Sequence, residues 1–253
     1  MNARSSSSTL QAHHLGAATR LAAVTTRLRD AILSGVYRPG QRLTEVALSE
    51  EMNTSRTPVT AALKALVEQG LVLYATNRGY WVREFSLEEV LEAYEVRGCL
   101  EGLACRRAAE RGLPAHLAEL LRHCLEIGER VTAGARLAAT DHAVYQRMNV
   151  EFHNAILEAS GNRRLNGFVQ RANEMPIASD RMVLWGDREI VRRSHDAHVR
   201  VLDAIQRGQG TRAEMLMREH IHEAAQVIEQ HWHAILARAH AAPSLAAVRS
   251  GPD

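Results

Sequence analysis

The sequence lacks the features that mark membrane-spanning and secreted proteins. No apolar run approaches the roughly 18 residues that a membrane-spanning helix needs. The three cysteines, Cys99, Cys105 and Cys124, are an odd number and have no zinc-knuckle spacing. We expect no signal peptide, and therefore reduced thiols in a cytoplasmic protein with no membrane partner.

The chain also has little net charge. Its 253 residues carry a formal charge of +2, so affinity for nucleic acid must come from local clustering of basic residues. Such a cluster lies in residues 20–85, and its members are Arg20, Arg27, Arg29, Arg38, Arg42, Arg56, Lys64, Arg78 and Arg83. The length suits one large domain or two modest ones.

Residues 38–82 predict two short helices followed by a β-hairpin. The first helix has a one-sided apolar stripe over residues 43–52. Ser55 stands where an N-cap begins the second helix, and Gly70 ends it. Two β-prone runs follow, around a turn that ends in Arg78-Gly79. This order is the plan of a winged helix-turn-helix, in which the second helix enters the major groove of DNA.

The polar side of the second helix and the hairpin tip supply candidate DNA-binding residues. Arg56 can make a bidentate contact with guanine, whereas Lys64 and the hydroxyl groups suit phosphates. Spacing alone leaves open that Arg56 and Lys64 are only the solvated face of an amphipathic helix. The candidate set is Arg38, Arg42, Thr44, Ser55, Arg56, Thr57, Thr60, Lys64, Arg78 and Gly79.

Several short motifs of this segment occur together in one known family. They are Arg38-Pro39-Gly40, Leu43-Thr44-Glu45, Ser55-Arg56-Thr57-Pro58-Val59 and Glu68-Gln69-Gly70-Leu71-Val72. Residues 20–85 thereby resemble the DNA-binding domain of GntR-family transcription regulators. Thr60 departs from the pattern, because many relatives carry arginine there. A base or phosphate contact is therefore expected to be missing or replaced.

From Ser86 onward the composition predicts an all-α helical bundle, which makes the whole chain mostly α. Proline is scarce, β-branched runs are absent, and Ala, Leu, Arg and Glu dominate. A capping box at residues 86–89 opens a long helix. Further helices are predicted over residues 114–131, 141–160, 165–182, 187–207 and 211–239. The domain prediction is a disordered tail at 1–19, a winged helix at 20–85, a helical effector-binding and dimerisation domain at 86–240, and a second tail at 241–253.

Three histidines fall at interior positions on three of these helices. His153 lies one turn after Asn149, so both project from one helix face. His198 and His220 lie on the last two helices, whose short connection makes them antiparallel neighbours. Three imidazoles and an amide oxygen would make a borderline site for Zn, Ni, Co or Mn. Spacing alone favours ordinary histidines of the core or surface.

Residues 86–235 resemble the FCD effector domain, the ligand-binding module of the FadR subfamily of GntR regulators. The motifs on which this resemblance rests include Tyr94-Glu95-Val96-Arg97, Asn149-Val150-Glu151-Phe152-His153 and Met217-Arg218-Glu219-His220. In metal-binding members the ligands are one Asp and three His, which correspond here to Asn149, His153, His198 and His220. The resemblance therefore implies a divalent metal ion (Zn, Ni or Mn). Because Asn149 brings no charge, it also implies lower metal affinity and stronger attraction for a carboxylate effector.

Three further residues are candidates for contact with the effector. Arg97 can clamp an acid group bidentately, or it can pair with Glu101 one turn later on the same helix. His195 lies one turn before His198 and borders the expected pocket. Asn173 is a polar candidate with no motif behind it.

These features predict a ligand-responsive transcription regulator, expected to be a repressor of a catabolic or transport operon. Its partners would be a small carboxylate effector and a palindromic double-stranded operator bound by a homodimer. A metal-dependent hydrolase-like enzyme is one alternative. It lacks a convincing general base, because Glu151 points away from the face of His153. The second alternative is a metal-sensing regulator.

Overall fold

The computed structural model describes residues 5–33, 35–134, 136–172 and 187–241. The chain divides into two compact units, with the boundary between Glu84 and Phe85 and the second unit spanning Phe85–Ala237. Both units are mostly helical, and the predicted mostly α fold is confirmed. Within the described residues, no helix is long and apolar enough to cross a membrane.

The first unit is a winged helix-turn-helix. Its elements are α1 (Ser5–Leu33), β1 (Arg42–Leu43), α2 (Glu45–Glu51), α3 (Arg56–Glu68), β2 (Val72–Ala75) and β3 (Gly79–Val82). The strands form one antiparallel sheet in the order β1-β3-β2. In this sheet Tyr80 lies opposite Leu43 on one side and opposite Tyr74 on the other. The predicted hairpin is thus extended by a third strand of only two residues.

Helix α1 departs from the prediction of a disordered segment over residues 1–19, because it begins at Ser5. Ala, Gln and Leu in this segment favour helix, and no proline interrupts it. Further along α1, Val24, Leu28 and Ile32 are buried at helical spacing. They belong to the same core as the buried face of α3, formed by Val59, Ala62, Leu63 and Leu66. This packing fixes α3 with its opposite face outward.

The turns of the first unit depend on residues in the left-handed region. Asn53, in the turn between α2 and α3, has φ of 48°, and Asn77 at the hairpin tip has φ of 66°. Asparagine tolerates this conformation better than most residues. Gly79 follows Asn77 with φ of 85°, a value that a larger residue would adopt only with strain. The hairpin tip is therefore sterically defined, with Arg78 held between these two residues.

The second unit is a helical bundle. Its helices are α4 (Leu87–Arg111), α5 (Ala115–Ala133), α6 (Ala139–Ala159), α7 (Arg163–Ala172), α8 (Arg188–Gln206) and α9 (Gly210–Ala241). The predicted capping box is present: the Ser86 hydroxyl accepts a hydrogen bond from the Glu89 amide, and the Glu89 carboxylate accepts one from the Ser86 amide. The helix predicted over residues 165–182 is seen as α7, and its positions from Asn173 onward lie outside the described residues.

Helix α6 packs against α4, α5 and α7 in this bundle. Tyr145, Met148, Phe152 and Ile156 are each no more than 1% exposed and follow helical spacing. Tyr145 also donates a hydrogen bond of 3.1 Å to the Ser194 hydroxyl, which ties α6 to α8. This packing fixes the position of α6 along its axis and its rotation about that axis. It thereby fixes the direction in which the side chains of Asn149 and His153 project.

Candidate functional site

The exposed start of α3 carries the candidate guanine reader. Ser55, Arg56 and Thr57 are exposed, as is Lys64 two turns later. Ser55 occupies the N-cap position, but its side chain makes no capping hydrogen bond. The side chains of Arg56 and Lys64 make no ion pair within the described part of the chain. These basic groups and hydroxyls are therefore available to DNA.

Two other candidates have structural roles within the winged helix. The Thr44 hydroxyl caps α2 by accepting a hydrogen bond from the Ala47 amide at 3.4 Å. The Thr60 hydroxyl lies between α2 and α3, 2.9 Å from Glu45 Oε1 and 3.0 Å from the Arg56 carbonyl oxygen. Thr60 was predicted as a DNA contact. The hydroxyl has one proton to donate, so a hydrogen bond from it to a phosphate would have to replace one of these bonds.

The wing brings the remaining basic candidates together. Arg42 on β1 and Arg78 at the hairpin tip are exposed, and both line a shallow depression that also includes Gly40 and Trp81. Arg38 is half-buried, and its Nε is shielded from water without a hydrogen-bond partner in the described residues. Because this atom is buried, the exposed Arg42 and Arg78 are the accessible basic groups of the wing.

In the helical unit, three imidazoles converge. His153 on α6, His198 on α8 and His220 on α9 are at most 6% exposed. Each offers a ring nitrogen, and these nitrogens all lie within 4.8 Å of one another. The Nε2 atoms of His198 and His220 are 3.2 Å apart. This distance suits a hydrogen bond between the two rings, and it also suits two nitrogens on a tetrahedral zinc ion, which at bonds of about 2.0–2.1 Å would be about 3.3–3.4 Å apart.

Burial keeps two of these imidazoles in the form that binds metal. Burial lowers the pKa of His198 well below its ordinary value. Burial, followed by the effect of His153, lowers the pKa of His220 to about 3. Both rings are therefore neutral at neutral pH and have a lone pair to donate.

A carboxylate that the sequence analysis assigned only to an ion pair also touches this cluster. Glu101 Oε2 on α4 lies 2.5 Å from His153 Nδ1, and Glu101 Oε1 accepts a hydrogen bond of 2.9 Å from Arg97 Nε. Burial raises the pKa of Glu101, but the positive charge of Arg97 and the hydrogen bonds from His153 and Arg97 outweigh it and leave the pKa below its ordinary value. Glu101 is therefore an ionised, buried acceptor.

A cavity of about 400 Å³ opens beside the histidines. Its polar lining includes Tyr94, Arg97, Asn149, His153, Arg193, Ser194, Glu219, His220 and Glu223. Asn149 is 4% exposed and lies one turn before His153, as the spacing predicted. Arg97 both lines the cavity and pairs with Glu101, so the two roles considered for it are compatible.

The other two effector candidates fall elsewhere. His195 packs against Gly128 of α5, where an added Cβ would lie 2.2 Å from its Nδ1, and it is absent from the cavity lining. It faces α5 because Gly128 leaves room for the ring, which helix spacing alone does not reveal. Asn173 lies outside the described residues.

Each of the two units matches the model of a known protein family. Residues 21–82 match the model of the bacterial regulatory proteins of the gntR family, and residues 92–223 match the FCD domain. The chain belongs to the GntR family of transcriptional regulators. Its helical unit is the FCD effector domain of a FadR-like member.

Similar proteins are regulators as well. The Nta operon transcriptional regulator of Aminobacter aminovorans is 30% identical over 65% of this chain and 73% of its own length. The probable D-xylose utilization operon transcriptional repressor of Paenarthrobacter nicotinovorans is 26% identical over 78% and 85%. Among solved structures, E. coli McbR/YncC has a TM-score of 0.70 over 84% of this chain and 98% of its own, at 20% identity. The enzyme alternative is thereby set aside: this GntR-family chain is a transcriptional regulator.

Proposed function

We propose that this regulator is a ligand-responsive repressor of a catabolic or transport operon, acting as a cytoplasmic homodimer. Its effector would be a small organic acid that binds beside a divalent metal ion in the FCD domain. The names of the similar proteins support the operon type, since one regulates an Nta operon and another represses a D-xylose utilization operon.

The observation that carries the proposal is the convergence of three buried imidazoles, two of which, those of His153 and His220, line a cavity. Neutral imidazole is a good ligand for Zn, Ni, Co and Mn. With Asn149, His153, His198 and His220 as protein ligands, a bound ion would supply positive charge and an open position for an acid group.

The cavity has the size of a site for a small effector, with a volume of about 400 Å³. Two arginines, Arg97 and Arg193, and two carboxylates, Glu219 and Glu223, line it. The preference for an anion would therefore come from the bound metal ion rather than from the lining alone. Because the four proposed ligands are neutral, the ion would keep its full charge and attract a carboxylate more strongly than an ion already bound by Asp.

The DNA-binding part follows from α3 and the wing. One winged helix offers few base contacts, so useful specificity needs two copies on a two-fold symmetric operator. Arg56 is the proposed guanine reader, while Lys64, Arg42 and Arg78 are the proposed phosphate contacts. The family resemblance suggests an operator with GT and AC halves.

One experiment tests the link between the two units. The wild-type protein and His198→Ala are loaded with Zn, Ni or Mn, and a panel of small mono- and dicarboxylates is screened for release of operator DNA by fluorescence anisotropy. We expect at least one acid to release the wild-type protein and not the variant, while both bind DNA equally without acid. If metal alone, with no acid, changes DNA affinity at least tenfold, the protein is a metal sensor instead.

A further inference from the structure

We propose that Glu101 is a positioning residue of the metal centre, which fixes the tautomer of His153 and places a negative charge behind a neutral set of ligands. This inference rests on the proposed metal site. It assigns to Glu101 a role beyond its ion pair with Arg97.

Both carboxylate oxygens of Glu101 are engaged. Oε2 lies 2.5 Å from His153 Nδ1, and Oε1 accepts from Arg97 Nε at 2.9 Å. The side chains of Arg97, Glu101 and His153 are 1%, 3% and 4% exposed. Away from water, such bonds are held in one geometry and are stronger than they would be at the surface. The arrangement is therefore built into the core rather than sampled at a surface.

The chemistry of the contact determines which nitrogen of His153 is free. An ionised carboxylate only accepts hydrogen bonds, so His153 Nδ1 must carry the proton. The lone pair is then on Nε2, which is the nitrogen left to bind a metal ion. Ligating histidines commonly donate their second N–H to a carboxylate in this way, and the bond orients the ring and makes it a better donor.

The charge of Glu101 has special weight in this chain because Asn149 brings none. Glu101 is a carboxylate in direct contact with a proposed ligand imidazole, that of His153. Arg97 neutralises part of that charge. Removing Glu101 should therefore weaken metal binding, whereas removing the charge of Arg97 should not.

These opposite directions separate the proposal from a purely structural role. If the ion pair of Arg97 and Glu101 only stabilised α4, both Glu101→Gln and Arg97→Met would break it. The two substitutions would then disturb the metal site equally. If Glu101 positions His153 and supplies charge, Glu101→Gln weakens metal binding by about 10–100-fold. Arg97→Met then leaves metal binding unchanged or tightens it.

The test measures the Zn²⁺ and Co²⁺ affinities of the full chain at fixed pH by competition with a chromophoric chelator. Glu214→Gln is the matched control, because Glu214 is an ion-paired, half-buried carboxylate of the same unit that contacts Arg106 and Arg218 and no proposed ligand. We expect control affinities equal to wild type. The visible absorption of bound Co²⁺ should change in Glu101→Gln and not in Glu214→Gln.

The outcomes are distinct. If the wild-type protein binds no metal, the proposed function fails before this inference is reached. If the wild type binds metal and Glu101→Gln binds it as tightly, or if Arg97→Met weakens binding as much as Glu101→Gln, the inference is overturned. If Glu101→Gln does not fold, the double variant Arg97→Met/Glu101→Gln removes both buried charges. Its affinity must then fall about 10–100-fold below that of Arg97→Met, and equal affinities would overturn the proposal.

Discussion

Removing the metal ion should lower the melting temperature of the FCD domain. The proposed ligands lie on α6, α8 and α9, so one ion would tie three helices together across the core. A ligand that binds only the folded state at 100 times its dissociation constant stabilises by about 2.7 kcal/mol. For a domain of this size, each kcal/mol corresponds to roughly 2–4 °C, so chelation should lower the midpoint by roughly 5–11 °C.

The assay is thermal unfolding followed by circular dichroism, with and without excess chelator. His198→Ala and His220→Ala should each abolish the chelator effect, whatever their own melting temperatures. His231→Ala is the matched control, because His231 lies on the same helix as His220 but is exposed. It should keep the full effect. The reasoning would be refuted if chelator left the melting temperature of the metal-loaded wild-type protein unchanged. It would also be refuted if chelator still lowered the melting temperature of His220→Ala.

Three further predictions concern single substitutions. Arg56→Ala should cost about 1–3 kcal/mol of operator binding and relax preference at one base pair, and a gel-shift series with both unchanged would remove Arg56 from the interface. Thr60→Arg should steepen the slope of log DNA affinity against log salt concentration by about one unit. The change should be larger when Glu45→Gln also removes the neighbouring carboxylate. An unchanged slope with and without Glu45→Gln would place this position away from DNA. Asn149→Asp should tighten metal binding and weaken a carboxylate effector, measured by calorimetry, because the missing charge is restored. If Asn149→Asp bound both the metal ion and the carboxylate effector more tightly, that reasoning would be contradicted.

Local spacing predicted the parts of the fold and site that lie close together in sequence. Asn149 and His153 share one helix face, and a short turn brings His198 and His220 together. The helix-turn-helix and its hairpin follow from Ser55 and the turn residues in the same way. For residues 1–19 the Ser- and His-rich composition led to the expectation of a disordered tail, whereas α1 begins at Ser5.

Contacts between distant segments could not be read from spacing. Glu101 meets His153 across 52 residues of sequence, and its local partner Arg97 offered a sufficient explanation for its presence. The Thr60 hydroxyl reaches Glu45 on the preceding helix. His195 turns to α5 because Gly128 leaves space for its ring. Each of these depends on how two elements pack, and helix periodicity does not specify the rotation of one helix against another.

Metal content tests the central claim most directly. The wild-type protein and His198→Ala are purified without chelator, resupplied with Zn, Ni or Mn, desalted, and measured by elemental analysis. The account predicts about one divalent ion per wild-type chain and far less in the variant, since four neutral ligands reduced to three hold an ion weakly. Wild-type protein that retains none of these metals would contradict it, and the three histidines would then be the polar lining of a metal-free pocket.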